Sequence, residues 1–439
     1  MSEQSFLDRR FRLSERNTNV KNEIMAGLTT FMTMSYILAV NPGMLADAGM
    51  DKGGVFTATI VASIIAMLVM GLYANLPFAL APGMGLNAFF VYTVVLGMGH
   101  SWQYALTAVF IEGVLFILMS FFNVREAIFN AIPMSLKKAV SVGIGLFIAL
   151  IGLSGAGVIV QGEGTLVSLG NLLTPGAAVT FVGIIVMAIL MAKKVRGALL
   201  YGILISTVFA LILGVTHAPE AWFQLPPSLA PVAFKLEWKN IFSWEMFSIM
   251  FTFLFVDLFD TVGTLVGVAS KANLLDEKGE LPAAGPALFA DAVGTTVGAL
   301  LGTSTVTTFV ESASGVTEGG RTGLTSLSVA FFFFLSLFLF PIFAIIPSQA
   351  TAPALVMVGL FMMSPIKDIP LDDFSESVPA FLTIVMMPFA YSIAEGIAFG
   401  MMSYVIIKVL SGKAKDVSIL MYLLAVIFLA RILWPLFGM

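Results

Sequence analysis

Cysteine is absent from this 439-residue chain, and charged residues are scarce. Without cysteine, disulfides, thiol nucleophiles and cysteine metal sites are excluded. Only 11% of the residues are charged, against about 25% in soluble domains, whereas 59% are hydrophobic. The two histidines, His100 and His217, fall between apolar segments, so no buried histidine proton relay is expected. The net charge of −4 gives no indication of nucleic-acid binding. The composition predicts an all-α polytopic membrane protein whose chemistry takes place within the bilayer.

Fourteen apolar segments follow one another along the chain, in two sets of seven separated by a polar loop. They lie at 24–44, 54–75, 81–97, 103–122, 135–155, 174–192, 197–216, 244–269, 285–302, 304–317, 323–346, 350–364, 376–392 and 395–410. A further apolar stretch at 421–437 carries Arg431. It is either an extra span or an interfacial segment.

Basic residues are concentrated in alternate loops, which indicates the orientation. The N-terminal segment is charged and lacks the apolar core of a signal peptide, so we expect it to stay in the cytoplasm. The loops on the same side would contain Arg125, Lys137, Lys138, Lys193, Lys194, Arg196, Lys271, Lys278, Arg321, Lys367, Lys413 and Lys415.

The two sets of segments resemble each other in the same order. YALTAVFIEGVLFILMSFF (104–122) aligns with TGLTSLSVAFFFFLSLFLF (322–340), and APGMGLNAFF (81–90) aligns with LGTSTVTTFV (301–310). Because seven spans is an odd number, the second half would be inverted relative to the first. Inverted repeats with interrupted helices at matching positions indicate a transporter whose site lies near the bilayer midplane.

The third and tenth segments are interrupted. Pro82 and Gly83 disfavour a regular helix before Asn87, and a Thr-rich stretch containing Thr308 precedes Glu311 and Ser312. Irregular backbone at membrane depth is tolerated only where protein or a water-filled cavity covers it. We therefore expect these two segments to meet at a ligand, although small residues could instead serve close helix packing.

Two carboxylates, Asp257 and Asp260, lie one helical turn apart within LFVDLFDTVGT (254–264). A charge at the centre of a span costs about 2.5–3.5 kcal/mol, so these acids must face the protein interior. Helical spacing gives two unlike faces. Asp257, Asp260, Thr261, Thr264 and Gly267 share the polar face, with Phe255, Phe259, Val262 and Val266 opposite.

The acids can share a proton, because no lysine or arginine lies within these central spans. Glu311 is a third intramembrane acid in an interrupted segment. Asp257, Asp260 and Glu311 are therefore the candidates for proton coupling. The alternatives are a permanently protonated, hydrogen-bonded acid for either aspartate and a helix cap for Glu311.

Long stretches of the chain resemble the azaguanine-permease-like purine permeases of the nucleobase:cation symporter group. The stretches are AGLTTFMTMSYILAVNP, ANLPFALAPGMGLNAFF, FDTVGTLVGVASKANLLDEKG, GTSTVTTFVESASGV and GGRTGLT. The resemblance implies fourteen spans in a seven-plus-seven inverted repeat, with short strands in spans 3 and 10. It implies a core domain, a gate domain and a C-terminal segment. The core would comprise 24–122 and 244–346, the gate 125–216 and 350–412, and the segment 413–439.

The resemblance also implies proton-coupled import of purine bases across a bacterial inner (plasma) membrane, commonly by a homodimer and with no cofactor or metal. The family's polar positions correspond to Asn87, Asp257 with Asp260, and Glu311. The position of Asp257 is not always acidic in the family, so either aspartate could handle the proton. The motifs at spans 8 and 10 look more like guanine/hypoxanthine permeases than adenine permeases.

Purine chemistry favours the same bases. An ionised Glu311 could accept the N1–H and the exocyclic amino group of guanine together. Asn87 could bind a carbonyl or imidazole edge, with Phe89 or Phe309 stacked on the ring. Thr308, Ser312, Asp257 and Thr261 complete the predicted substrate site.

Two alternative functions are compatible with parts of the same pattern. The first is an adenine carrier or a broader purine/pyrimidine carrier of the same fold. The second, more remote, is an intramembrane aspartyl protease, which needs its two aspartates on different spans facing across a cleft. Asp257 and Asp260 lie on one helix, so we expect a transporter and not an enzyme.

Overall fold

A computed structural model describes residues 6–120, 132–162, 164–272, 274–275 and 281–433. Some sequence predictions lie outside the described residues. These are the loop position of Arg125, the loop position of Lys278, and residues 434–437 of the C-terminal stretch.

The first half contains seven segments in the predicted order, preceded by a short helix over Phe6–Phe11. They are span 1 (Val20–Met34 and Ile37–Asp47), span 2 (Lys52–Val69, continuing as a π-helix over Met70–Ala74), span 3 (strand β1, Leu80–Pro82, helix Met84–Ala88 and π-helix Phe89–Gly97), span 4 (Trp102–Ser120), span 5 (Met134–Gly155), span 6 (Pro175–Ala192) and span 7 (Ala198–Ile212). A hairpin of β2 (Ile159–Gly162) and β3 (Thr165–Leu169) joins spans 5 and 6.

The second half repeats the pattern. It comprises span 8 (Trp244–Ala272), span 9 (Ala284–Leu301), span 10 (strand β4, Val306–Thr308, and helix Ser312–Thr317), span 11 (Gly323–Ser336, with a 3₁₀ turn over Leu337–Leu339 and helix Phe340–Ala344), span 12 (Ser348–Met362 and 3₁₀ turn Ser364–Asp368), span 13 (Phe374–Phe389) and span 14 (Ile393–Leu410). In the described chain, ten helices are long and apolar enough to cross a bilayer, and the shorter segments complete the set. The predicted all-α architecture of fourteen segments, with short strands in spans 3 and 10, is confirmed.

Polar residues in the short loops determine where several spans begin. Asn19, Asp51 and Thr174 each accept a hydrogen bond from a backbone N–H in the first turn of spans 1, 2 and 6. Thr322 does the same for span 11 and Ser392 for span 14. Such N-caps satisfy donors that would otherwise have no intrahelical partner, which matters most at a membrane boundary.

The spans pack in two groups. In the first group, span 1 packs on spans 10 and 11, and span 9 packs on spans 2 and 4. In the second group, span 5 packs on spans 12 and 13, span 13 on span 14, and span 6 on spans 7 and 12. Each group therefore combines segments from both halves of the chain.

A buried glutamate ties the two halves together within the first group. Glu23 of span 1 is fully buried, and its carboxylate accepts bonds from the backbone N–H groups of Arg321, Thr322 and Thr325. The Thr325 hydroxyl donates to the same carboxylate at 2.6 Å. A carboxylate at a helix N-terminus satisfies free donors and complements the helix dipole.

The second group contains an ion pair between a buried lysine and a partly buried glutamate. Lys408 Nζ of span 14 lies 2.6 Å from Glu376 Oε1 of span 13, and only 3% of Lys408 is exposed. The Ser135 hydroxyl of span 5 donates to the other oxygen of Glu376. Breaking a buried pair leaves a charge without compensation, so this contact holds three spans in one arrangement.

The C-terminal stretch forms a helix over Ile419–Leu433 that packs on span 14. Its inward side carries Met421, Leu424 and Phe428, at helical spacing. The Phe428 ring lies 5.9 Å from the ring of Phe251 in span 8. Span 8 packs on spans 4 and 10 of the first group, so this helix contacts both groups of spans.

We expect Gly323→Ala to destabilise the protein. A Cβ at Gly323 would lie 2.0 Å from the carbonyl oxygen of Gly71, so spans 2 and 11 would have to separate. Overpacking of this kind costs about 1–3 kcal/mol. Thermal melting in detergent should show a lower transition temperature. Gly43→Ala is the matched control, since nothing lies within 4 Å of its Cβ position. Equal melting of both variants would contradict the close approach.

Candidate functional site

Spans 3 and 10 meet through their strands, as predicted from their interrupted sequences. β1 pairs antiparallel with β4, with Leu80 opposite Thr308 and Pro82 opposite Val306. The Phe309 N–H donates to the Ala79 carbonyl at 2.9 Å and extends the ladder. Because side chains alternate along a strand, neighbouring residues of β4 point to opposite sides. One side faces a cavity and the other faces span 8.

The cavity, called here the site cavity, lies between the two groups of spans and has a volume of about 430 Å³. This volume falls within the range of about 300–1,000 Å³ that is typical of small-molecule sites. Spans 1, 3, 8 and 10 form one wall and spans 5 and 12 the other. Its mouth is lined by Met134, Lys137, Lys138, Ser364 and Pro365. Met134 there is 57% exposed, so the cavity opens at this end.

Span 10 supplies polar groups on the inner wall. Glu311 and Thr308 both line the site cavity. The Tyr36 hydroxyl of span 1 donates to Glu311 Oε1 at 2.9 Å. The Thr308 hydroxyl is buried and has no hydrogen-bond partner among the described residues. The cavity wall therefore contains a carboxylate and, on the same segment, a buried hydroxyl without a partner among the described residues.

Asp260 is the carboxylate that span 8 presents to the cavity. It lines the site cavity together with Gly263, Thr264 and Gly267. Gly83, which follows β1, packs closely against β4, since a Cβ there would lie 2.7 Å from Thr307 Cγ2, and Asp260 Oδ2 lies at contact distance from the same position. The expected polar face is present, with one correction. Helical spacing predicts Phe259 on the opposite face, but in the structure it lies in the cavity wall, one turn from Gly263.

Asp257 turns away from the cavity and joins a buried cluster with Asp291 of span 9. Thr261 Oγ1 lies 3.1 Å from Asp257 Oδ1 and 2.8 Å from Asp291 Oδ1. The same oxygen is 2.6 Å from the hydroxyl of Thr307 in β4. All four residues are at most 1% exposed. The structure thus separates the two aspartates of span 8 into a cavity acid and a cluster acid.

Three predicted site residues lie behind the cavity wall. Asn87 is fully buried, and its side-chain oxygen accepts a bond from the Ser304 hydroxyl. Ser312 Oγ accepts the Ala79 N–H at 3.0 Å and so supports the start of β1. The Phe89 ring packs edge-on against Phe253 at 4.8 Å. Asn87 and Ser312 support the strand region, whereas Phe89 packs on span 8. None of the three is among the residues that line the site cavity.

Phe309 is the predicted stacking residue that lines the site cavity. Its ring centroid lies 6.5 Å from that of Tyr36, with 41° between the planes. Two aromatic rings and the Glu311 carboxylate therefore line the same cavity, a combination suited to a flat heteroaromatic ligand.

Sequence reasoning missed Tyr36 and Asp291. Asp291 had a usable signal, because it is an acid in the middle of an apolar segment. Tyr36 had none in composition, since tyrosine is ordinary in a span. Its importance comes from the break in span 1 between Met34 and Ile37, which places the ring beside span 10.

Residues 21–399 match the model of the Permease family. The chain belongs to this family. It is 47% identical to the guanine/hypoxanthine permease PbuG of Bacillus subtilis, over 95% of this chain and 98% of that one. It is 42% identical to the adenine permease AdeP of Escherichia coli, over 99% of this chain and 97% of that one. The resemblance to purine permeases is confirmed, and the protein is a multi-pass membrane permease rather than an enzyme.

A solved structure confirms the fold independently. The transmembrane domain of the cyanobacterial bicarbonate transporter BicA matches with a TM-score of 0.66, covering 86% of this chain and 97% of that one. At 15% identity, this likeness concerns the architecture alone.

Proposed function

We propose that the protein is a proton-coupled purine transporter that prefers guanine and hypoxanthine and works by alternating access. The observation that carries this proposal is the Glu311 carboxylate in the wall of the site cavity, held by the Tyr36 hydroxyl at 2.9 Å. Relatives named for adenine and for guanine/hypoxanthine are of similar identity, so the choice of base depends on the site.

The chemistry of Glu311 favours bases with N–H donors. An ionised carboxylate offers about four lone-pair sites, and Tyr36 uses one of them. The remaining sites can accept the N1–H of hypoxanthine, or the N1–H and amino group of guanine together. Adenine carries an acceptor at N1 and would face this carboxylate unfavourably. Phe309 would stack on the ring, and the free hydroxyl of Thr308 would bind a base edge.

The buried cluster of Asp257, Thr261 and Asp291 is our candidate for the proton site. Thr261 has one hydroxyl hydrogen and can donate to only one carboxylate at a time. Its oxygen nevertheless lies within 3.1 Å of both Asp257 Oδ1 and Asp291 Oδ1. Two ionised carboxylates would leave one of these contacts repulsive, so we infer that one aspartate holds a proton in this conformation.

The cluster is linked to the base site through β4. Thr307 contacts Thr261, and the next residue, Thr308, lines the site cavity. Span 8 provides a second connection, because it carries Asp257 in the cluster and Asp260 in the cavity wall. Binding of a base beside β4 can therefore alter the contacts that hold the proton.

Alternating access is supported by the unequal ends of the site. One end opens at Lys137 and Lys138, the end predicted to be cytoplasmic, so the conformation would be inward-facing with a cytoplasmic N-terminus. At the other end the groups pack together: Tyr92 of span 3 contacts Tyr391, with ring centroids 6.2 Å apart. The first group would act as the core and the second as the gate.

The experiment is uptake into proteoliposomes with an imposed pH gradient. Radiolabelled hypoxanthine should accumulate when the outside is acidic, and unlabelled guanine should compete better than adenine or xanthine. Base addition without a gradient should shift the external pH upward, because protons enter with the base. Uptake of no base would reject the transporter assignment for purines. Stronger competition by adenine than by guanine would reject the preference and favour the adenine alternative.

Whether two copies associate, as the resemblance implies, can be measured by light scattering on the same preparation.

A further inference from the structure

Tyr36 lies where span 1 breaks, beside the substrate segment of span 10. The helix over Val20–Met34 ends just before it, and the helix over Ile37–Asp47 begins just after. The side chain is 1% exposed, yet it lines the site cavity. Its hydroxyl reaches Glu311 Oε1 at 2.9 Å.

Close packing fixes the position of Tyr36 relative to Glu311. Gly315, one turn after Glu311, has no space for a side chain, since a Cβ would lie 2.1 Å from Thr30 Oγ1 of span 1. The hydroxyls of Thr33 and Ser314 form a hydrogen bond of 2.8 Å between the same two segments. These contacts hold the two segments against each other beside the phenol and the carboxylate.

We propose that Tyr36 is a specificity-determining residue that acts through Glu311. By donating its only hydroxyl hydrogen to Oε1, the phenol holds the carboxylate in one orientation and in the role of an acceptor. The remaining lone pairs then face a base that carries N–H donors. A base such as adenine, which has an acceptor at that edge, finds no hydrogen-bond donor in the pair formed by Tyr36 and Glu311.

Loss of the phenol hydroxyl should relax this selectivity. Without the bond to Tyr36, Glu311 can rotate, and it can take a proton and donate to an acceptor such as adenine N1. Leaving a carboxylate lone pair without its donor removes one charge-assisted hydrogen bond and not the pocket itself. Binding should therefore persist while its preference changes. The inference rests on the proposed function, because it assumes that a purine occupies the site cavity.

The test is equilibrium binding of hypoxanthine and adenine to the purified full chain, measured by calorimetry for the wild type and for Tyr36→Phe. The selectivity ratio is the dissociation constant of adenine divided by that of hypoxanthine. We expect this ratio to fall about tenfold in Tyr36→Phe, corresponding to about 1.4 kcal/mol. Tyr404→Phe is the matched control. Tyr404 also donates to a glutamate, Glu376 at 3.5 Å, but away from the site cavity. Its ratio should equal that of the wild type.

A second background shows whether Tyr36 acts through Glu311. In Glu311→Gln protein, adding Tyr36→Phe should change the ratio less than about twofold, because the carboxylate to be oriented is gone. An unchanged ratio in Tyr36→Phe protein that still binds both bases would overturn the inference and leave the proposed function intact. A wild-type protein that binds neither base would overturn both.

Discussion

Replacement of Glu311 by glutamine is expected to weaken hypoxanthine and guanine binding by about tenfold or more and to reduce the discrimination against adenine. A hydrogen bond to a charged group contributes about 1.5–3 kcal/mol, and the amide offers one oxygen where the carboxylate offered two. The amide also supplies an N–H that adenine N1 can accept. Adenine should therefore lose little affinity or gain some.

The measurement is competition binding of guanine, hypoxanthine, adenine and xanthine to purified protein. Glu318→Gln is a suitable control, because Glu318 follows on the same segment but pairs with Arg196 at 2.6 Å. It is not among the residues that line the site cavity. Guanine affinity and purine preference that both stay unchanged in Glu311→Gln would remove the carboxylate from the recognition mechanism.

The sequence predicted the architecture of the site better than its inner geometry. Hydropathy located every span, and the Gly/Pro and Thr-rich interruptions located β1 and β4. These features succeed because lipid forces each span to be apolar and forces irregular backbone into the interior. Glu311 and Asp260 followed from the same reasoning, since a membrane charge must face protein or a cavity.

Helical spacing could not separate Asp257 from Asp260. The two residues share a broad polar face, and only the packing of span 9 decides that Asp257 meets Asp291 while Asp260 meets the cavity. The same limit applies to Asn87 and Phe89. Both lie beside the interruption in span 3, but the turn of the helix after Gly83 buries them behind the strands. Tertiary contacts of this kind have no local pattern in the sequence.

The described geometry gives the three acids different positions along one connected path. Glu311 and Asp260 line the cavity, where a base would bind, whereas Asp257 lies in the cluster behind β4. The hydroxyls of Thr307 and Thr261, 2.6 Å apart, attach the cluster to β4, whose next residue, Thr308, lines the cavity. The proposed function therefore uses different carboxylates, on opposite sides of β4, for recognition of the base and for storage of the proton.

Replacement of Asp291 by asparagine is expected to abolish proton-driven accumulation while leaving base binding largely intact. Asp291 lies outside the cavity lining, and its Oδ1 contacts Thr261 at 2.8 Å. An asparagine amide can donate permanently to Thr261, which reproduces the protonated state without the ability to release a proton. Uptake should then run only down the gradient of the base, and binding affinity should lose its dependence on pH.

Transport assays in proteoliposomes distinguish a loss of proton coupling from a loss of base binding. With an acidic exterior, Asp291→Asn protein should equilibrate labelled hypoxanthine but not concentrate it, whereas the wild type should concentrate it. Asp51→Asn is the control, because Asp51 caps span 2 through Gly54 N–H at 2.7 Å and asparagine caps helices equally well. Accumulation by Asp291→Asn at the wild-type level would show that the cluster does not carry the coupled proton. The coupling role would then pass to the acids of the cavity, Asp260 and Glu311.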